Sequence, residues 1–338
     1  MRKLILSLCL GLSVTACAAL GGRPSAGSQA DIDEDDKAAM ARIGQKAKGK
    51  IVWSSSRIGN HDLFLMNTDG SGVKQLTKGE HVDWFSRFSP DGKKILFCRS
   101  KKGWVYERDA NRNFKWNLFT VSPAGGQPEL LVKDACWGTW IDQSKIMFNR
   151  GSKVFTKDLS SGEETELVDS KKEKALGGAD LQQPQLSPDG KYLAITLRGS
   201  MRQTGIFDLE NKTWFQTGDG CQINWYPDGS RIYWINPSGN GGSEAFSVAV
   251  VNGKPDKEYS YEEMRFIDIP GRRSHEYFPQ MTRDAKWLVW AATRRGHDHD
   301  IADYEIYIWE IGQAAEQATR LTFHSGNDRW PDLFISDL

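Results

Sequence analysis

From Gly49 onward, apolar and polar positions alternate over short runs that are broken by turns rich in Gly, Pro, Asp and Asn. Runs with a period of two predict half-buried β-strands. The turns themselves recur. Ser89-Pro90-Asp91-Gly92, Ser187-Pro188-Asp189-Gly190 and Tyr226-Pro227-Asp228-Gly229 are near copies, and Ile141-Asp142-Gln143-Ser144 and Thr282-Arg283-Asp284-Ala285 are weaker versions. Pro presets a negative φ and Asp-Gly supplies a positive-φ corner, so each predicts a tight hairpin turn. Similar strands flank these turns: WFSRF and KKILF, QPQL and KYLAI, INWY and SRIYW, YFPQM and KWLVW.

A second marker repeats independently of the first. A residue, then an aliphatic or Ala, then an aromatic recurs as Asp62-Leu63-Phe64, Asn117-Leu118-Phe119, Lys153-Val154-Phe155, Gly205-Ile206-Phe207, Glu244-Ala245-Phe246 and Glu305-Ile306-Tyr307. Short exit strands follow, as in KQLT at Lys74–Thr77 and TRLT at Thr319–Thr322. Each unit reads as four antiparallel strands with an apolar face that it cannot bury alone, which predicts radial stacking of sheets. A β-sandwich, the all-β alternative, does not repeat one turn and one third-strand signature in this way. The first unit, KIVWSSSRIGNHDLFLMNTDG, lacks an inner strand, and RWPDLFISD at the carboxyl end aligns with YFPQMTRD of the preceding unit. The expectation is an all-β, six-bladed β-propeller over residues 49–338, with four-stranded blades and closed by the C-terminal strand completing blade one. Trp53, Trp234, Trp290 and Trp309 alternate with polar neighbours and are expected in the core.

The amino terminus has a different pattern. Met1-Arg2-Lys3 is basic, Leu4 to Val14 is an apolar run too short to span a bilayer, and small residues follow, so residues 1–16 read as a signal peptide. Val14-Thr15-Ala16-Cys17 resembles the bacterial lipobox, which implies cleavage before Cys17, its lipidation and membrane anchoring. Ala18 after the Cys favours an outer-membrane anchor facing the periplasm over the inner membrane. Residues 17–48 are then the lipidated Cys, a flexible acidic linker to Asp36, and a short helix from Lys37 to Lys48 carrying Ala38, Met40, Ile43 and Ala47 at helical spacing.

Composition narrows the function. The chain has 44 basic and 44 acidic residues, so no global field favours nucleic acid. Cys98, Cys136 and Cys221 remain once Cys9 and Cys17 are set aside, an odd number at unrelated positions that gives no disulfide framework and predicts small buried apolar residues. No G-x-S-x-G occurs, and GNGGS at Gly239–Ser243 lacks the Lys of a phosphate loop.

The succession FSPDGKKILF and SSSRIGNHDLFLMNTDGSGVKQLT resembles the TolB-type propeller repeat: a strand, SPDG, a strand, an S-R-x-G loop, D-[IL]-[FY] and DGS…LT. The resemblance covers about Gly49 to Leu338 and is strongest in the first, second, fourth and sixth units. It implies a periplasmic propeller scaffold of the protein-binding kind. TolB proteins are soluble and carry an α/β domain before the propeller, whereas residues 18–48 are too few for one and this chain is expected to be lipidated. The full role of the family is therefore not implied.

If the SPDG turns lie on one face, the loops between blades and between second and third strands lie on the other. His61, His81, His275, His297, His299 and His324 all fall in those loops, in blades that become neighbours on closure. The candidate partner-binding face comprises His81, Trp84, Arg273, His275, Glu276, Asp328, Arg329 and Trp330, with Trp137 and Arg272 beside them; aromatics and Arg are common anchors. His275, His297 and His299 are candidate ligands of a divalent metal. This set loosely resembles the His-lined metal site of propeller-fold oligogalacturonate lyases, where a metal acidifies the proton next to a uronate carboxylate. None of their motifs is matched, so no catalytic role passes to this chain. The expected function is a lipid-anchored cell-envelope module that binds a protein, peptide or glycan and is not an enzyme. The alternative is a metal-dependent lyase or hydrolase acting on an acidic polysaccharide.

Overall fold

The computed structural model describes residues 26–199, 203–218, 220–236, 245–250, 275–294, 296 and 298–336. The alternating runs form 23 strands in six antiparallel sheets. In chain order they are β1 (Gly49–Ser55), β2 (Asp62–Asn67) and β3 (Lys74–Gln75); β4 (Asp83–Phe88), β5 (Ile95–Ser100), β6 (Trp116–Val121) and β7 (Glu129–Lys133); β8 (Cys136–Trp140), β9 (Lys145–Arg150), β10 (Lys153–Asp158) and β11 (Glu164–Asp169). Then follow β12 (Asp180–Leu186), β13 (Tyr192–Arg198), β14 (Gln203–Asp208) and β15 (Trp214–Gly218); β16 (Cys221–Trp225), β17 (Arg231–Asn236) and β18 (Ala245–Val250); β19 (His275–Met281), β20 (Trp287–Thr293), β21 (Glu305–Glu310) and β22 (Thr319–Arg320); and finally β23 (Asp328–Ile335).

Five of the sheets are four-stranded propeller blades, and the fifth in chain order, β16–β17–β18, is three-stranded among the described residues. Five four-stranded blades are thus described where six were expected. Residues 251–274, which follow β18, lie outside the described residues.

The first blade has the order β23–β1–β2–β3. The carboxyl-terminal strand pairs antiparallel with β1, with Gly49 opposite Ile335, Ile51 opposite Leu333 and Ser55 opposite Asp328. β23 is also stitched to the second blade: the Phe88 N–H donates to Asp332 Oδ2 at 2.7 Å, and the rings of Phe88 and Phe334 lie 5.9 Å apart. Trp53, Trp234 and Trp290 are fully buried and Trp309 nearly so, as the alternation predicts.

The turn signature acts as its residues demand. Gly92, Gly190 and Gly229 have φ of 69°, 73° and 73°. In each the Gly N–H donates to the carbonyl three residues earlier at 2.9 Å. Ala285 occupies the same corner with φ 54° and the same 2.9 Å bond to Thr282 O, although a Cβ disfavours that region.

The helix, α1 (Glu34–Lys46), begins three residues before the expected Lys37. Asp33 caps it by accepting the Asp36 N–H at 2.8 Å, and Glu34, Asp35 and Asp36 complement the positive end of the helix dipole. The acidic run read as linker is thus the helix start. Residues 27–30 are also docked, not free: Gly27 N–H donates to Arg57 O, Ala30 N–H to Phe323 O and Ser325 N–H to Ser28 O. Among the described residues no helix is long and apolar enough to cross a membrane.

Two outcomes are expected. Removing residues 329–338 takes away the inner strand of the first blade and opens an apolar face at each end of the array, so thermal melting should lose its cooperative transition; an unchanged melt would refute closure by β23. Ala285→Gly relieves the left-handed corner and should raise stability by about 1 kcal/mol in chemical denaturation.

Candidate functional site

Six strands line the propeller axis, one per sheet, and each is bulged. Register shifts occur at Trp84/Arg87, Cys136/Thr139, Gln182/Gln185, Cys221/Asn224 and Tyr277/Gln280, and in β1 opposite β23. Within each bulge or next to it one non-glycine residue takes a left-handed backbone: Phe85, Trp137, Gln183, Gln222, Phe278 and Trp330, with φ between 52° and 63°. A bulge re-aims a side chain. Four of these six are aromatic and pack together, edge to face for Phe85 with Trp137 and with Trp330, centroids 4.9 and 5.0 Å apart, and tilted for Phe278 and Trp330 at 4.3 Å. Trp84 joins the cluster from behind, 4.7 Å from Trp137.

The other two, Gln183 and Gln222, leave the channel polar on their side. There a cavity of about 450 Å³ opens. Trp137, Tyr106 and Tyr277 supply its aromatic surface; Asn111, Gln182, Gln183 and Gln222 its amides; Arg108 and Arg198 its guanidinium groups; and Glu107, Asp298, His299 and Asp300 its acidic side. Trp137 Nε1 and Gln183 Oε1 are buried with no hydrogen-bond partner among the described residues.

The acidic side is built around one buried cation. Arg329, in β23, is 0% exposed. Its Nη1 donates to Glu107 Oε2 at 3.0 Å, to Asp300 Oδ1 at 2.9 Å and to the His299 carbonyl at 2.7 Å. Glu107 lies in the β5–β6 loop and His299 and Asp300 in the β20–β21 loop, so the guanidinium joins loops from two blades on either side of its own. Glu107 completes the clamp. Its Oε2 also accepts from Trp330 Nε1 at 3.0 Å, its Oε1 accepts from His299 Nδ1 at 2.8 Å, and its backbone N–H meets both carboxylate oxygens of Asp300 at 3.2 Å. His61 Nε2 donates to the Asp300 carbonyl at 3.0 Å from below.

The charge states follow from this packing. Burial alone would raise the Glu107 carboxyl, but His299, Arg329 and Trp330 outweigh it and hold the group below its ordinary value. Burial and the nearby Glu107 push Asp300 up, against Arg329. His61 is held well below the ordinary imidazole range by burial and by Arg329, which keeps it neutral.

The structure redistributes the sequence-predicted site. Trp84, Glu276, Asp328, Arg329 and Trp330 are interior, each at most 1% exposed, and do not form a contact face. The reason is that innermost strands are covered by neighbouring blades on both sides, so Trp and Arg there pack inward. Arg329 and Trp330 support the cavity from beneath, while Asp328 pairs with Arg57 at 2.9 Å. His81 and His275 are half-buried, and Arg273 and His297 lie outside the described residues. Three of the described histidines are engaged separately: His61 binds Asp300, His299 binds Glu107, and His324 Nδ1 accepts the Gly326 N–H at 3.0 Å. Among the described residues no group of three or more His, Cys, Asp or Glu could hold a metal ion.

Glu107, Gln183, Gln222, Arg108 and Asn111 were not anticipated. Five of the six channel positions had a signal: the left-handed residue sits four places before the first residue of its turn, as Phe85 before Ser89, Trp137 before Ile141, Gln183 before Ser187, Gln222 before Tyr226 and Phe278 before Thr282. Glu107 had none, because its loop belongs to no repeat.

With the fold and cavity in place, comparison with known proteins defines the class. No family model matches the chain. A solved structure from Agrobacterium tumefaciens, provisionally assigned as TolB, superposes with a TM-score of 0.56 at 14% identity, over 85% of this chain and 98% of that one. The chain is thus a TolB-like β-propeller in fold. Dipeptidyl-peptidase 5 of Porphyromonas gingivalis is 22% identical over 261 residues, 71% of this chain and 34% of that protein. The Tol-Pal system protein TolB of Geobacter metallireducens is 47% identical over 47 residues, 14% of this chain and 11% of that protein. The chain therefore spans no more than about a third of the length of these curated relatives.

Glu107→Ala removes one of the two carboxylates paired with a fully buried guanidinium and should cost about 3 kcal/mol in chemical denaturation. Because the folded carboxyl is held below its ordinary 4.5, its contribution is present above that pH and is lost as pH falls below it. Glu107→Gln, which keeps the shape, should cost less and remove that acid-side slope.

Proposed function

We propose that this protein is a lipid-anchored cell-envelope module, a six-bladed propeller whose channel mouth binds a protein or peptide partner. Six sheets, each with one left-handed non-glycine residue in its inner strand, support the six-blade count. One observation carries the binding reading: the cavity presents buried, unsatisfied polar atoms, Trp137 Nε1 and Gln183 Oε1, beside an aromatic surface and a wall of amides. Unsatisfied buried groups are costly, and a ligand that supplies the missing partners recovers that cost. Peptide groups offer one donor and one acceptor each, which suits amide side chains better than a purely anionic ligand does. The resemblance to TolB-type repeats agrees with a protein partner in the envelope.

The route of the chain supports an orientation. Residues 27–30 are bonded to Arg57, Phe323 and Ser325, in loops on the cavity's face of the ring. Nine residues, Ala18 to Ala26, separate this strap from Cys17. Fully extended they reach about 30 Å. A lipid on Cys17 would therefore hold the cavity toward the membrane and favour a partner close to that surface.

Cys17→Ser should move the protein from the membrane to the soluble fraction; unchanged fractionation would defeat the anchor. A photo-crosslinking residue at Arg108, on the cavity rim, should trap a discrete envelope protein, whereas one at Asp189, in a turn on the opposite face, should not. Equal crosslinking at both positions, or none at Arg108, would defeat the binding face.

A further inference from the structure

Two of the buried cysteines meet across a blade boundary. Cys98 is in β5 of the second blade and Cys136 opens β8 of the third, and both are 0% exposed. Their Sγ atoms are 2.9 Å apart. That leaves about 0.9 Å to close to reach the length of an S–S bond. The approach is built into the packing. Gly138, two residues along β8, sits where a Cβ would meet Leu118 Cδ1 at 2.9 Å and Leu96 Cδ2 at 3.0 Å, so the absent side chain lets the two sheets come together beside the sulfurs. The Trp137 N–H, donating to Cys98 Sγ at 3.2 Å, holds the second sulfur in line.

We propose that Cys98 and Cys136 form a disulfide that staples the second blade to the third directly beneath Trp137, in the surface of the cavity. The oxidant is a small or protein disulfide of an oxidising compartment. The thiolate of one cysteine attacks a sulfur of that disulfide and expels one thiolate. The second cysteine then attacks the mixed disulfide and expels the other. The two protons lost by the cysteines pass to the two leaving thiolates, so two protein thiols and one disulfide give one protein disulfide and two thiols. In the closed ring both sulfurs are sealed from any oxidant, and burial holds the Cys136 thiol well above its ordinary range. The bond therefore forms while the blades are assembling. The cysteines are 38 positions apart, so the closed loop spans the β5–β6 segment that carries Glu107.

The inference rests on the envelope reading only for the source of the oxidant, and the experiment separates the two. The full-length chain is denatured, reduced, refolded with oxidised glutathione and alkylated in denaturant without reductant, then digested and mapped by mass. A linked pair of peptides containing Cys98 and Cys136, lighter by two hydrogens than their sum, is expected. Alkylation of both cysteines in the refolded protein would overturn the proposal. Reductant should then lower the melting temperature of the refolded chain by roughly 5 °C, and should leave that of the Cys98→Ala, Cys136→Ala double variant unmoved; an equal response of both proteins would also overturn it. In a separate arm, the same map is made on protein taken directly from the cell envelope. Free thiols there, with the bond formed on refolding, would count against the envelope location and not against the geometry.

Discussion

The pairing of the last strand with the first is the contact on which everything else depends. β23 joins Asp328–Ile335 to Gly49–Ser55, residues at opposite ends of the propeller in sequence, and until it forms no inner strand exists for the first blade. Such a long-range contact must overcome the loop-closure entropy of the whole ring before it is rewarded, so it forms late. The same strand brings Arg329 and Trp330 to the channel. Glu107 and Asp300, from the blades on either side, have no buried cation to converge on without it. The cavity wall is therefore assembled by the event that closes the ring.

A second constraint shapes the channel. Left-handed backbone at a residue with a Cβ costs about 1–2 kcal/mol, and the structure holds it at all six inner strands. Where the residue is Phe or Trp, ring packing offsets that cost, and the channel fills on the side of Phe85, Phe278 and Trp330. Gln183 and Gln222 cannot be recovered in the same way. Gln222 accepts the Phe278 N–H at 2.6 Å, whereas Gln183 Oε1 has no partner among the described residues. Substituting amides at two of six equivalent positions thus turns a plugged axis into a plug with a pocket beside it. A near-symmetric scaffold acquires a sided binding site through a local change of residue type.

Much of the fold could be read in advance because its determinants are local and repeated. The SPDG corners, the third-strand aromatic and the alternation of Trp53 or Trp290 with polar neighbours each depend on residues adjacent in sequence. The helix start at Glu34 was misread because an acidic run fits a solvated linker as well as a capped first turn, and only the contact of Asp33 with the Asp36 N–H separates them. Arg329 and Trp330 were placed on the right face but on the wrong side of its surface, since exposure at the axis is decided by neighbouring blades. Glu107 was illegible for a deeper reason. Its role is set by partners 192 and 222 positions away, through a loop with no counterpart in the other blades.

The clamp around Arg329 also bears on how the cavity works. A buried guanidinium is tolerated when carboxylates and carbonyls are fixed around it, and here those groups come from loops that would otherwise be free to move. Pairing the cation through its Nη1 therefore immobilises the β5–β6 loop and the β20–β21 loop before any partner arrives. Tyr106, Arg108 and Asn111 flank Glu107 in the first of these, and Asp298 lies beside His299 in the second. Their placement follows from an interaction they do not make. A partner then meets a rim whose ordering entropy has already been met by folding, which leaves more of the contact energy for affinity. Exposed Arg108 can vary without disturbing the clamp, whereas the Asp298 carboxylate accepts the Asp300 N–H at 2.8 Å and belongs to it, so specificity can change at Arg108 while Glu107 and Arg329 hold the geometry constant.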